Sequence, residues 1–228
     1  SVRRCWPLPY GFGGRFTSRD NACRSGIELA VNADCSAAGA GVTAAAMGFL
    51  TNLLGKAMGG APSAGSGDPR EAMRPAYAAL VGAARDPVWY RDGGAADSKP
   101  GRFDMLTTLL ALLLLRLEQG GGHARESTWL SELFIDDMDA QLRQDGVGDL
   151  MVGKHITRLM GTLGGRLGSL REAMAAADHI AALTDYAARN VTGDEALRSA
   201  LVEMLAAWHD SLADSAPSAL LAGRLPPA

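Results

Sequence analysis

The sequence predicts an all-α protein, a single compact bundle of about seven helices around a buried Leu-rich central helix. Apolar residues recur at spacings of three and four through most of residues 68–216, the pattern of helices with one buried face. Runs of alternating β-branched residues, which would indicate strands, do not occur in the sequence. Hydrophobic residues make up 47% and charged residues 21% of the chain, a balance that favours a soluble globular protein over a disordered or polytopic membrane protein.

The first 46 residues differ in composition from the rest. All three Cys precede Met47, and all nine Met lie at or after it. Because residues 1–46 show no helical or strand period, we expect an unstructured extension and interpret it as sequence upstream of a natural start at Met47. A mitochondrial presequence is the alternative, since the segment contains Arg and few acids, whereas the apolar run of a secretory signal is missing.

The remaining chain divides into three parts. Residues 47–67 predict a short amphipathic helix and a flexible linker rich in Gly, Ser and Pro. The helix either folds back on the core or forms a weak contact with a membrane or a partner. Residues 68–216 form the predicted helical domain, and residues 217–228 are expected to be a tail with prolines at its start and near its end.

The domain begins with two helix starts of the same kind. Asp68 and Asp86 are each followed by Pro, which places an N-capping side chain before a proline at the first helical position. The first pattern predicts a helix toward Arg85, and the second a further short helical turn.

A loop and the central helix come next. Turn residues over 92–101 predict a loop with Trp89 and Tyr90 on one side and Arg102 on the other. The most hydrophobic stretch of the chain, residues 103–117, follows and is interrupted by only four charged or hydroxyl side chains. It has apolar residues on all faces and is shorter than the ~20 residues needed to span a bilayer, so it is predicted to be the buried central helix.

Four more helices are predicted, with opposite charges on the first two. They cover about 127–145, 149–177, 180–190 and the region from 197 onward. Residues 126–145 carry six acids, whereas 150–171 carry only bases. The bases are Lys154, Arg158, Arg166 and Arg171. The simplest expectation is pairing between the two helices, and the alternative is a basic surface toward anionic lipid headgroups or RNA.

Glycines are unusually frequent in the second of these helices, at positions 161, 164, 165 and 168. Each costs about 0.8–1 kcal/mol relative to Ala in an exposed helix interior. We therefore expect either close approach of another helix to this face or a break in the helix. A separate glycine turn precedes the helix, where Gly146 is expected to adopt a positive φ and Asp149 to cap the helix start.

The densest acidic cluster is Asp136, Asp137 and Asp139. Asp136 and Asp139 share a helix face and could hold Mg²⁺ in a metal-dependent enzyme. However, Asp139 lies four residues before Arg143, the spacing of an ordinary surface ion pair, which is the favoured interpretation. The four His show no HExxH spacing, and no Ser lies in a GxSxG motif.

Several motifs in order along the chain resemble the ubiquinol-cytochrome c chaperone family. They are Trp89-Tyr90, Gly94, Asp97, Gly101-Arg102-Phe103-Asp104 and the long run FIDDMDAQLRQDGVGDL from Phe134 to Leu150. The resemblance covers about residues 70–175. It departs from the family at Gly164, because the family tends to have an aromatic residue before the Gly-Arg pair. Family members are implied to be non-enzymatic assembly factors of the respiratory ubiquinol-cytochrome c reductase that act on newly made cytochrome b.

The resemblance implies a bacterial-type chaperone with a protein-binding surface. We expect the partner-binding residues to be Trp89, Tyr90, Arg102, Phe103, Asp136, Asp139, Arg143, Gly146, Gly148, Asp149 and Lys154. The expected partner is nascent or unassembled cytochrome b. A small second partner protein and a peripheral membrane or ribosome contact through the basic helix are left open.

No enzyme activity, cofactor, metal or DNA partner is expected; the net charge is −3, unlike that of a basic nucleic-acid-binding protein. The expected location is the bacterial cytoplasm, with peripheral contact to the cytoplasmic face of the inner membrane left open. A general helical adaptor and, less favoured, the metal-dependent enzyme are the alternative functions.

Overall fold

A computed structural model describes residues 68–144 and 149–228, with the side chains of 149–152 left out. These residues belong to one unit, Gly60–Ala228. Within them the chain is all-α, as predicted, and β-type pairing in these ranges is limited to an isolated bridge between Ala95 and Gly193. The α-helices in this part of the chain are α1 (Arg74–Ala84), α2 (Pro87–Arg91), α3 (Lys99–Gly120), α4 (Ala124–Gln144), α5 (Asp149–Ala175), α6 (His179–Asn190), α7 (Arg198–Asp214) and α8 (Pro217–Leu221). Two 3₁₀ helices, Pro69–Met73 and Glu195–Leu197, lead into α1 and α7.

Local capping sets the starts of the first helices. The Asp68 carboxylate accepts a hydrogen bond from the backbone N–H of Arg70 at 3.0 Å, and Asp86 accepts one from Val88 at the same distance. These contacts satisfy N–H groups that have no partner within the helix. Both predicted caps are confirmed, although the turn after Asp68 is 3₁₀ before it becomes α1.

The central helix α3 is buried along most of its length, as predicted. Its leucines from Leu109 to Leu113 have no exposed surface. Arg116, near its end, donates hydrogen bonds to the carbonyl oxygens of Leu212 and Ser215, both at 2.9 Å, and thereby holds the end of α7. Gly121 then ends the helix with a φ of 65°. In the described ranges, no helix has both the length and the apolar run needed to cross a membrane.

The glycines of α5 do not have the predicted surroundings. The helix runs unbroken from Asp149 to Ala175. Among the residues that the structure describes, a methyl group added at Gly161, Gly165 or Gly168 would meet no atom within 4 Å outside the helix's own backbone. The expectation of either close helix packing or a break is therefore wrong at these three positions, because they face open space.

Two arginines of the basic helix α5 do not pair with the acidic helix α4, although that was expected. Arg166 pairs with Asp104, and Arg171 pairs with Glu118 at 2.8 Å. Both acids belong to the central helix α3, so these two arginines connect α5 to α3. The alternative expectation of a basic surface does not apply to Arg166, whose exposed fraction is 5%.

The chain after residue 216 includes the short helix α8. Leu220 within it is fully buried, and Gly223, with a φ of 83°, lies against Pro75. The Trp208 indole donates a hydrogen bond to the carbonyl oxygen of Pro226 at 3.2 Å. The segment expected as a tail thus packs against α1 and α7. The expectations for residues 1–46 and 47–67 lie outside the described residues.

Candidate functional site

Two aromatic side chains fasten α2 to the end of α1. The Trp89 indole N–H donates to the carbonyl oxygen of Ala83 at 2.9 Å, and the Tyr90 hydroxyl donates to that of Ala84 at 2.6 Å. Carbonyl groups at a helix end lack helical partners, so these bonds satisfy them. Trp89, which the sequence assigns to the partner surface, is fully buried and is a core anchor in this structure. Tyr90 is partly buried.

Glycines allow a close approach between the loop after α2 and the first turn of α3. A Cβ atom at Gly101 would collide with the carbonyl oxygen of Ala96, and one at Gly193 would collide with that of Gly94. The bridge between Ala95 and Gly193 holds the same loop. This packing fixes the direction in which the next residue, Arg102, leaves α3.

A surface pocket of about 300 Å³ lies between these elements. It is lined by Arg85, Pro87, Tyr90, Arg91, Asp97 and Arg102. Arg102 donates to Asp97 at 2.7 Å, and both side chains are more than half exposed. Burial raises the pKa of Tyr90, an effect that the nearby Arg102 and Arg85 charges partly oppose. The pocket therefore combines positive charge with an aromatic wall.

A buried ion pair lies behind the first turn of α3. Arg166 of α5 donates from one guanidinium nitrogen to an Asp104 carboxylate oxygen at 2.5 Å and from another to the Asp104 carbonyl oxygen at 2.9 Å. The second carboxylate oxygen of Asp104 accepts hydrogen bonds from the Thr192 backbone N–H at 3.0 Å and hydroxyl at 2.8 Å. This carboxylate thus joins α3, α5 and the segment after α6.

Aromatic rings cover this ion pair. The Arg166 guanidinium carbon lies 5.7 Å from the centre of the Phe103 ring, which in turn lies 6.2 Å from the Phe134 ring centre. A guanidinium at this distance is attracted by the face of the ring. The ring that contacts the Arg166 guanidinium is therefore Phe103 of α3. It does not come from position 164, where the family tends to have an aromatic residue and this chain has Gly164. Phe103 is partly buried and packs against the core.

The three acids of the α4 cluster are bound by three different residues. Asp136 pairs with Arg70 at 2.8 Å, Asp137 accepts from the Tyr77 hydroxyl at 2.8 Å, and Asp139 accepts from Arg143 at 2.9 Å. Within residues 68–144 and 149–228, no group of three potential metal ligands was found. The contacts of Arg70 and Tyr77 fasten α4 to α1 and the turn before it.

The structure divides the predicted partner residues into two sets. Tyr90 and Arg102 line the pocket, whereas Asp136, Asp139 and Arg143 follow one another along α4. The contact between the rings of the first turn of α3 and the middle of α4 shows that these elements are neighbours.

Three predicted residues remain untested. Gly146 and Gly148 lie outside the described residues, and for Asp149 only its place at the start of α5 is described. Lys154 and Arg158 of the same helix are exposed.

Sequence reasoning missed the Asp104–Arg166 pair as a structural unit. The available signal was Asp104 itself, a charge within the most hydrophobic stretch, which requires a partner when buried. The partner is 62 residues away in sequence, and no local spacing identifies it. Arg85 was missed because nothing in the sequence distinguishes it from other surface arginines.

Comparison with known proteins gives a consistent result. The model of the family described as "Ubiquinol-cytochrome C chaperone" matches residues 91–226. The chain is similar in fold to a protein described as "Crystal structure of the Cbp3 homolog from Brucella abortus", with a TM-score of 0.60 and 24% sequence identity over 78% of this chain and 94% of that one. No curated protein matches the chain.

Proposed function

The chain belongs to the ubiquinol-cytochrome C chaperone family, and on this premise we propose that it is a non-enzymatic assembly factor of the ubiquinol-cytochrome c reductase that binds newly made cytochrome b. The family match carries the proposal. It extends over residues 91–226 and so includes α3 to α8. The fold shared with the Brucella abortus protein supports the same family assignment.

We place the partner surface on the exposed members of the two sets of residues. Arg102 at the pocket and Arg143 on α4 are both more than half exposed; Arg102 is held by the exposed Asp97 and Arg143 by the partly exposed Asp139. Exposed ion pairs contribute little to stability, so a partner carrying its own charges can replace them at small cost. Tyr90, Asp136 and Lys154 belong to this proposed surface, as do Gly146, Gly148 and Asp149 on sequence grounds.

A charge-reversed variant tests the surface. In a pull-down from solubilised membranes, the wild-type protein is expected to capture cytochrome b. The double variant Arg102→Glu/Arg143→Glu should capture at least about tenfold less cytochrome b, because like charges placed in an interface cost several kcal/mol. The matched control is Arg189→Glu on exposed α6, which should capture as much as the wild type.

The results separate the possible failures. Wild-type protein that captures no cytochrome b contradicts the proposed function, and capture of other proteins in its place favours a general helical adaptor. Full capture by the double variant shows that the surface lies elsewhere. For the corner between α4 and α5, Arg143→Ala with Asp149→Ala should lower the amount of assembled reductase in cells, and wild-type levels would remove that corner from the surface.

We further propose a cytoplasmic location with peripheral contact to the membrane or to the ribosome. Lys154 and Arg158 near the start of α5 are exposed, and Arg171 is about half exposed beside Glu118. Exposed bases of this kind are attracted to anionic lipid surfaces and to RNA. Fractionation at rising salt concentration is expected to release the protein from membranes or ribosomes, whereas association that is unaffected by salt would contradict a contact through these bases.

A further inference from the structure

The pocket between α1, α2 and α3 is lined by more basic than acidic side chains. Three of its six lining residues are arginines, Arg85, Arg91 and Arg102, whereas Asp97 is the one acid among them. Pro87 and the ring of Tyr90 form the rest of the wall. A cavity of about 300 Å³ is at the lower end of the range for small-molecule sites.

The arginines of this pocket are available to a ligand. Among residues 68–144 and 149–228, the structure gives the guanidinium of Arg85 no ion pair or hydrogen bond. Arg91 pairs with its neighbour Asp92 at 2.8 Å, and both side chains are at least half exposed. Arg102 is similarly held by exposed Asp97. Because exposed pairs of this kind are weak, an incoming anion can take over their hydrogen bonds.

The walls of the pocket are fixed by the surrounding packing. The Tyr90 hydroxyl is bound to the carbonyl oxygen of Ala84, and Asp86 caps the helix that carries Tyr90 and Arg91. The close approach of Gly101 to Ala96 holds the start of α3, from which Arg102 extends. A site with rigid walls loses less conformational entropy when it binds a ligand.

We propose that this pocket binds a phosphate group carried on a small organic moiety. Guanidinium groups form paired hydrogen bonds with phosphate oxygens, and three of them can contact different oxygens of one tetrahedral group. A carboxylate has only two oxygens and a single charge, so it accepts hydrogen bonds from fewer of these three guanidinium groups. Pro87 and the Tyr90 ring give the organic part an apolar wall. The phosphate comes either from a soluble phosphorylated metabolite or from the headgroup of an anionic lipid.

Binding to the purified full-length protein tests the proposal. Glycerol 3-phosphate is the soluble probe, titrated calorimetrically in a buffer without phosphate, and the wild type should bind it at one saturable site. The double variant Arg85→Gln/Arg91→Gln should weaken binding by about tenfold or more, since it removes charge-assisted hydrogen bonds from two of the three arginines. Arg189→Gln on α6 is the matched control and should bind like the wild type.

A second variant changes the affinity in the opposite direction. Asp97→Asn removes the carboxylate that competes for Arg102, and it should strengthen binding several-fold. Melting temperatures confirm that each variant is folded. Co-sedimentation with phosphatidylcholine vesicles, with and without phosphatidylglycerol, then separates the two sources of the phosphate. Vesicle binding that needs phosphatidylglycerol and is lost in Arg85→Gln with Arg91→Gln identifies a lipid headgroup, and binding of glycerol 3-phosphate alone identifies a soluble ligand.

Two results would overturn the proposal. One is that the wild type binds neither glycerol 3-phosphate nor phosphatidylglycerol vesicles. The other is that Arg85→Gln with Arg91→Gln binds as tightly as the wild type. Neither result bears on cytochrome b, because capture of cytochrome b is measured separately and Arg85 and Arg91 are not part of the proposed partner surface.

Discussion

Alanine substitution at three glycines of α5 is expected to stabilise the protein. Gly161, Gly165 and Gly168 lie in the interior of a helix of 27 residues, where a methyl group would meet no atom of the described part of the chain within 4 Å beyond the helix's own backbone. Glycine is unfavourable in such a position because the unfolded chain has more conformations to lose. With no steric cost to oppose it, this entropic gain determines the sign of the effect.

The magnitude follows from the number of sites. Each Gly→Ala change should add about 0.5–1 kcal/mol to the free energy of unfolding, and the triple variant about 1.5–3 kcal/mol. For a domain of 150–250 residues, each kcal/mol raises the melting temperature by about 2–4 °C. The triple variant should therefore melt about 3–12 °C higher than the wild type.

Thermal unfolding followed by circular dichroism, together with urea titration, measures this change. The matched control is Gly101→Ala, which is also a glycine within a helix but would place its methyl group against the carbonyl oxygen of Ala96. That variant should lose about 1–3 kcal/mol, because overpacking forces the backbone to move. The same substitution thus has opposite signs at α5 and at the first turn of α3.

An unchanged or lower melting temperature in the triple variant would refute the reasoning. It would mean that another part of the protein occupies the space beside α5, as the glycine pattern in the sequence suggested. A triple variant that is stabilised, with the Gly101→Ala control destabilised, would confirm the open face.

Three further stability predictions follow from buried side chains. Arg166→Leu removes one partner of the buried pair with Asp104 and should cost about 3–5 kcal/mol in urea unfolding; a loss below about 1 kcal/mol would contradict the pairing. The pKa values of Tyr77 and Tyr186 are raised, mainly by burial, so the folded state favours the protonated phenol. The stability that these two groups contribute is fully present below pH ~10 and falls as the pH rises above it. The double variant Tyr77→Phe/Tyr186→Phe should therefore lose less melting temperature than the wild type as the pH rises above ~10. Trp89→Phe should lower the free energy of unfolding by about 1–3 kcal/mol through loss of its hydrogen bond and volume, whereas an unchanged melting temperature would argue against its core position.

The helices were predictable because their signals are local. Asp68 and Asp86 accept hydrogen bonds from residues two positions later, so the capping pattern is visible in a few letters of sequence. The hydrophobic run from 103 to 117 similarly determines a buried helix wherever its neighbours lie. Local patterns of this kind established the fold class without any knowledge of tertiary contacts.

The site was less predictable because its side chains depend on distant partners. Trp89 lies beside Tyr90 in sequence, yet it points into the core, while Tyr90 forms a wall of the pocket. Arg166 lies in a helix segment without acids, which suggested pairing with the acidic helix before it or a basic surface, but its partner Asp104 is supplied by α3. The α5 glycines show the reverse case, where an unfavourable helix residue suggested a close neighbour that the described structure does not contain.

The buried pair connects the core to the proposed partner surface. Asp104 lies two residues after Arg102 on α3, and its carboxylate is held by both Arg166 and Thr192. A charge buried in this way is costly unless an opposite charge pairs with it, so the pair tolerates few alternative arrangements of α3. Fixing Asp104 fixes the rotation of the first turn of α3, and with it the direction of Arg102 toward the pocket. Asp104, the charge that interrupts the most hydrophobic stretch, thus orients the exposed Arg102. It does so from the protein interior and not from the surface where a partner would bind.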